Sequence, residues 1–379
     1  MIPLSIPDLS GNELDYLRQC IESGWVSSAG PFVDLFEKNV AEQVGVRYAV
    51  ATVNGTAALH IALLTSGLKP DEEVIAPTLT FIAPINAIRY CGAHPLFMDC
   101  DRFLNIDLEK IDDFLKKRSV VRGGQVYNKT TGRRIHGILP VHIFGFPVDM
   151  DLLLQICKNS PLKIIEDSTE ALGSRYKGRG VASFGTSGCL SFNGNKIITT
   201  GGGGMLVTND EVIARKARYL TTQAKDDAVN YLHHEVGYNY RLSNLQAAVG
   251  VAQLERLESF IEAKKQNFHT LAELIRPLEG LSLIPPPPET NPNYWYTALC
   301  IEKPYRRSRD ELFQILREKG VETRPLWTLN HEQKPYLKSE TYRIEQASRL
   351  REKILNLPCS PTLTRRELDE IVGLLREAA

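Results

Sequence analysis

Apolar residues run through the first half of the chain in short unbroken blocks. These are YAVATV (48–53), EVIAP (73–77), PLFMD (95–99), GILPVHIFG (137–145), KIIED (163–167), GCLSF (188–192) and GMLVT (204–208). Most lack the alternation of a strand with one wet face, which predicts strands buried on both faces of a parallel sheet. Between most blocks lies enough chain for a crossover helix, as in GTAALHIALLTSG (55–67). Only about eleven glycine-rich residues without helical spacing separate the last two blocks. A parallel crossover needs a dozen or more residues, so this pair is expected to be antiparallel. The predicted α/β core is a seven-stranded, mostly parallel sheet with one reversed strand. Such sheets bind ligands beyond the carboxyl ends of their strands.

Helical spacing precedes and follows the sheet. Ser10 and Glu13 read as a capping box before a helix whose apolar face carries Leu14, Leu17 and Ile21. Ser243 and Gln246 read as another, opening one long helix whose stripe continues through Leu254, Leu257 and Ile261 into a second domain. PPPP at 285–288 is a stiff extended segment. Beyond it, YWYTALCIE, a helix near 308–319, GVETRPLW and two terminal helices predict a small α+β domain. The chain thus divides into a large domain, 1–250, and a small one, 251–379. RSVVRGGQVYNKTTGRRIHG (118–137) reads as an inserted β-hairpin.

Composition narrows the setting. Of 379 residues, 45 are Lys or Arg and 45 are Asp or Glu, a balance that points away from nucleic acid. Seven scattered cysteines without a C-x-x-C pair argue against a zinc site and a disulfide framework. MIPLSIPDLS lacks the basic-then-apolar pattern of a signal peptide, and no apolar run is long enough to span a bilayer. A cytoplasmic enzyme or binding protein, without a membrane segment or metal, is expected.

Three stretches carry candidate chemistry. In SFNGNKIITTGGGG (191–204), Lys196 follows a strand end, where such sheets place their sites. An exposed lysine is a poor nucleophile at neutral pH, whereas a buried one is the usual Schiff-base former. A hairpin turn with a solvated lysine is the other reading of this stretch. NGTAAL (54–59) opens a helix after the first strand, and its N–H groups with the Thr56 hydroxyl could take a phosphate, or form a plain Asn-Gly turn. Asp167, ending KIIED, is either a helix cap or a carboxylate awaiting a buried cation, with Glu170 as its capping mate in the first case. Together, a reactive lysine, a strand-end carboxylate and a phosphate cup fit pyridoxal 5′-phosphate.

The order GWVSSAGPFVDLFE, AVATVNGTAALHIAL, VIAPTLTFIAPINAI, PVHIFGFPVDM, IIEDSTEALGS, SFNGNKIITTGGGGML, GYNYRLSNLQAAVGVAQL and VETRPLW resembles the DegT/DnrJ/EryC1/StrS nucleotide-sugar aminotransferases over nearly the whole chain. Within them it is most similar to the branch acting at C4 of nucleotide-linked 4-keto-6-deoxy-N-acetylhexosamines, of the legionaminic acid or bacillosamine type. The resemblance implies fold type I, the aspartate-aminotransferase-like fold, with L-glutamate as amino donor and a homodimer with shared active sites. It gives Lys196 the covalent link to the cofactor and the proton transfers, and Asp167 the pyridine nitrogen. Gly55, Thr56 and Ser191 would hold the phosphate, joined by Asn239 from a second subunit. Phe81 would stack on the ring, and Glu170 would lie near the 3′-oxygen, where relatives often carry Gln or His. Trp25, Ser27, His142, Arg324 and His331 are the implied sugar-pocket residues. C3 amination and dehydration also occur on this scaffold; the dehydratases replace the lysine by histidine, so Lys196 favours transamination.

Overall fold

The computed structural model describes residues 1–158, 160–227 and 229–379. Its centre has seven strands, as expected in number and, for six of them, in place: β1 (Tyr48–Thr52), β2 (Glu73–Pro77), β3 (His94–Met98), β4 (Arg134–Ile138), β5 (Lys163–Asp167), β6 (Ser187–Ser191) and β7 (Gly204–Thr208). They lie in the order β1-β7-β6-β5-β4-β2-β3. β7 runs antiparallel to both its neighbours, and the other adjacent pairs are parallel. The glycine-rich connection thus reverses the chain as its length requires. β2 is buried at every position, as a strand covered on both faces must be.

The expected strand 137–145 is misplaced. β4 ends at Ile138, and the chain continues as a buried loop through His142 to Val148. Leu139, Val141, Ile143 and Phe144 are wholly or almost wholly buried there, so the apolar run records burial rather than a ladder.

The insertion is a hairpin of Ser119–Arg122 and Gln125–Asn128 that adds antiparallel to β4. Asn128 Nδ2 donates to Glu73 Oε2 at 2.9 Å, at the first residue of β2. It therefore sits at the amino end of the parallel strands, away from the carboxyl ends where a ligand would bind.

Helix α1 (Glu13–Ser23) begins without the expected capping box. Asn12 occupies the N-cap but its side chain donates to Glu255 Oε2 at 2.8 Å rather than capping the helix, and Ser10 N–H donates to Asp8. Glu13 turns inward to accept from Gln253 Nε2 at 2.6 Å, while Leu14 and Ile21 are 69% and 68% exposed. The apolar stripe exists, but it faces outward. Helices α1 and α2 (Pro31–Val44) both pack on Asn244–Leu254. Between α2 and that helix comes α3 (Gly55–Thr65), capped by Asn54 and buried along most of its length.

The long helix expected from Ser243 is two: α4 (Asn244–Leu254), with its Ser243–Gln246 capping box, and α5 (Leu257–Ile275). Arg256 at the break has φ −109° and ψ 2°, and its guanidinium bonds Asp8 and Ser10. The line drawn at residue 250 falls inside α4. Past α5, an antiparallel sheet of Leu281–Leu283, Thr297–Ile301, Ile354–Leu357 and Arg324–Pro325 packs with helices around Leu271, Leu312 and Ile371. Ile2 joins this part by a bridge to Val321, and Thr341–Tyr342 pairs in parallel with β3. No helix among the described residues is long and apolar enough to cross a membrane.

Candidate active site

The carboxyl ends of β1, β2, β5 and β6 converge on a cavity of about 340 Å³. Asn54, Gly55 and Thr56 line it after β1, Phe81 after β2, Asp167, Thr169 and Glu170 at β5, and Ser191, Asn193, Asn195 and Lys196 at β6. Seven residues singled out in the sequence are thus brought together: Gly55, Thr56, Phe81, Asp167, Glu170, Ser191 and Lys196.

The floor is a helix start pressed against a strand end. Asn54 Oδ1 accepts from Ala57 N–H at 2.8 Å and its carbonyl from Ala58 N–H at 3.2 Å. The N–H groups of Gly55 and Thr56 come before these and open α3, the natural place for an anion. Nothing larger than glycine fits here. A Cβ on Gly55 would meet Ser191 Cβ at 2.8 Å, and one on Gly204, at the start of β7, would meet the Gly55 nitrogen at 2.6 Å.

Asp167 ends β5 with 1% exposure, and Thr169 N–H donates to its Oδ1 at 3.0 Å. Burial pushes its carboxyl above the ordinary range, with the Thr169 bonds and Lys196 opposing. A cation brought against it would reverse that penalty. Glu170 is 4% exposed, with Oε2 accepting from Phe144 N–H at 2.8 Å. Burial, helped by the Asp167 charge, pushes its carboxyl up to about 7 against the pull of Lys196.

The Lys196 side chain is 12% exposed, and Nζ lies 3.9 Å from Glu170 Oε1. Burial lowers its amine below the usual 10.5, while Glu170 and Asp167 draw it back. Of the two readings left open by the sequence, the solvated turn is excluded. The residues fit pyridoxal phosphate: an amine for its aldehyde, a buried carboxylate for its ring nitrogen, and a helix start with Ser191 for its phosphate.

The remaining candidates stand apart from this cavity. His142 is fully buried, with Nδ1 accepting from Val148 N–H at 3.0 Å and Nε2 3.2 Å from Glu166 Oε2. The ring orders the loop behind β5 and does not face the cavity. His331 Nδ1 lies 2.7 Å from Thr78 Oγ1, tying its loop to the end of β2. Arg324 is exposed and donates to the Thr323 carbonyl at 3.1 Å. Trp25 and Ser27 are exposed, their carbonyls bonded by Asn244 at 2.8 and 2.5 Å. Asn239 is also exposed, between Tyr238 and Tyr240, whose rings stack 5.0 Å apart.

Trp295 and Tyr296, on one wall, were not anticipated, whereas Trp327 ends the VETRPLW stretch that carries the resemblance. Trp295, Tyr296 and Trp327 line the cavity from the second half of the chain. Lys196 Nζ stands 3.9 Å from the Trp295 ring centroid. YWYTALCIE reads as a core strand, and only the three consecutive aromatics at its start hint at another use.

The profile of the DegT/DnrJ/EryC1/StrS aminotransferase family matches residues 7–376. The chain belongs to this family. Its members are pyridoxal phosphate-dependent sugar aminotransferases of the type I fold. It is 36% identical over 376 residues to GDP-perosamine synthase of Caulobacter vibrioides, covering 99% of this chain and 97% of that one. With GDP-perosamine synthase of Escherichia coli O157:H7 it shares 37% over 384 residues, 99% and 98% of the two chains. The crystal structure of DesI with its TDP-sugar product superposes with a TM-score of 0.86 at 27% identity, over 99% and 93% of the two chains.

Proposed function

We propose that this sugar aminotransferase moves an amino group from L-glutamate to the C4 keto group of a nucleotide-linked 4-keto-6-deoxy-(N-acetyl)hexosamine, in glycan biosynthesis. One observation carries the reading: a nearly buried Lys196 amine shares a cavity with Asp167, Glu170 and the Gly55–Ser191 cup. When bound, pyridoxal phosphate supplies an aldehyde that takes up the amino group and a ring that accepts electrons. Lys196 Nζ would anchor it and, when free, would move the proton from the donor's Cα to the cofactor in one half-reaction and from the cofactor to the sugar's C4 in the other. Asp167 keeps a proton on the ring nitrogen by charge, an attraction of about 4 kcal/mol at ~4 Å and an effective dielectric of ~20. Gly55 and Thr56 N–H groups, with Ser191, hold the phosphate, and Phe81 covers the ring.

The perosamine synthase relatives support C4, since perosamine carries its amino group there. Asn239, which the family resemblance assigns to the phosphate, lies outside this chain's own cavity and would complete the partner's site in a homodimer. Residues 251–379 would close over the cavity, which Trp295 and Trp327 already line.

A panel of nucleotide keto-sugars incubated with glutamate and analysed by mass spectrometry and NMR tests the reading. A 4-amino product with one 2-oxoglutarate per turnover is expected. A 3-amino product, or a deoxygenated sugar without 2-oxoglutarate, contradicts it.

A further inference from the structure

The amine of Lys196 rests on a seat that the chain fixes with unusual thoroughness. Its Nζ is 3.9 Å from the Trp295 ring centroid and 3.9 Å from Glu170 Oε1. The indole Nε1–H donates to the carbonyl of Asn195, the residue before the lysine, at 2.6 Å. Trp295 N–H donates to Asn293 Oδ1 at 3.0 Å, and its carbonyl accepts from Lys264 Nζ and Cys359 Sγ, both at 3.2 Å. The Tyr296 ring stacks against the indole at 3.9 Å with planes 9° apart, and Asn195 Nδ2 donates to the Tyr296 hydroxyl at 3.3 Å.

Asn293 does more than hold Trp295. Its Nδ2 donates to the carbonyls of Glu170 and Leu172, both at 2.9 Å. One buried amide therefore braces the indole against the loop that carries Glu170. A tryptophan that only filled the core would turn its face to apolar atoms. This one meets a cation.

We infer that Trp295 is a positioning residue: its indole face receives the Lys196 ammonium whenever that nitrogen is not joined to the cofactor, and keeps it between the ring and Glu170. This rests on Lys196 being the cofactor lysine. The charged groups facing the amine are Glu170 and Asp167, and the Tyr296 hydroxyl is the other titratable group on that wall. An indole face attracts an ammonium and not a neutral amine. Trp295 thus acts against burial, which favours the neutral form.

The test uses cofactor-free protein. Trace labelling with acetic anhydride at a series of pH values, read by peptide mass spectrometry, gives the titration midpoint of Lys196. Trp295→Leu is expected to lower that midpoint by about one pH unit, and Trp295→Phe, which keeps a ring face, to restore most of it. In the holoenzyme, Trp295→Leu should lower kcat while KM for the nucleotide sugar stays near wild type. An unchanged midpoint in Trp295→Leu, or an equal fall in Trp295→Phe, overturns the inference. Should Trp295→Leu not fold, wild-type protein carrying 13C at lysine Cε decides. Ring current must displace the Lys196 Cε protons upfield, at a position missing from Lys196→Arg; a shift within the range of solvated lysines overturns the inference. Covalent cofactor found on another lysine would instead overturn the reading on which this rests, so the two failures are distinct.

Discussion

A Cβ placed on Gly55 would stand 2.8 Å from the Cβ of Ser191. The first turn of α3 and the end of β6 are therefore in direct contact, and the cup they form has no room for one more methyl group.

Gly55→Ala forces these two elements apart at the phosphate position. Overpacking of this kind costs about 1–3 kcal/mol. Titration of cofactor-free protein with pyridoxal phosphate should show affinity reduced by about 10-fold or more, with the fold intact by circular dichroism. Wild-type affinity would show that the cup is not the phosphate site.

Glu170 makes the cofactor-free protein pH-sensitive. Its folded carboxyl titrates near 7, above the ordinary 4.5, so the native state binds more protons than the unfolded one across that window. Stability then falls as pH rises from about 4.5 to 7, by up to about 3 kcal/mol from this group. Urea unfolding at pH 5, 6, 7 and 8 should show that Glu170→Gln removes this part of the slope and is the more stable protein at pH 8. Parallel profiles for the two proteins would contradict the assignment.

His142 belongs to the scaffold. Its two ring nitrogens engage Val148 and Glu166 in a fully buried loop. His142→Ala leaves Glu166 short of a donor and should cost about 2–4 kcal/mol in denaturant unfolding. KM for the nucleotide sugar should stay within about 3-fold of wild type at a temperature where the variant is folded, since that free-energy loss falls on folding. A large KM rise at unchanged stability would return His142 to the sugar pocket.

Much of this was legible in the sequence, and the reasons differ between parts. The central strands show as apolar blocks because burial on both faces leaves a dense local signal. Lys196, Asp167 and Gly55 stand out because each is of a chemically loaded type just past such a block. Trp295 and Tyr296 were illegible: nearly a hundred residues separate them from Lys196, and a buried aromatic wall has the composition of any core strand. Leu14 and Ile21 show the converse, a correct helical period whose face is not covered by this chain. The run 137–145 failed because a buried loop, its backbone bonded by Asp167 and Asn105, is as apolar as a strand.

Asn239 supplies a test of the shared site. Lys196→Ala and Asn239→Ala subunits should each be inactive or weak alone. Mixed after brief denaturation, they form heterodimers in which one of the two sites has both wild-type residues. Activity should rise to roughly a quarter of wild type, as expected for random pairing into closed two-fold dimers. No gain on mixing would place Asn239 outside the partner's site.

The account depends most directly on a single nitrogen. Borohydride reduction of the pyridoxal phosphate-loaded protein, followed by protease digestion and mass spectrometry, locates the covalent attachment. A pyridoxyl group on the peptide containing Lys196, and its loss in Lys196→Ala, is the result predicted; an unmodified Lys196 with the label on any other lysine contradicts it.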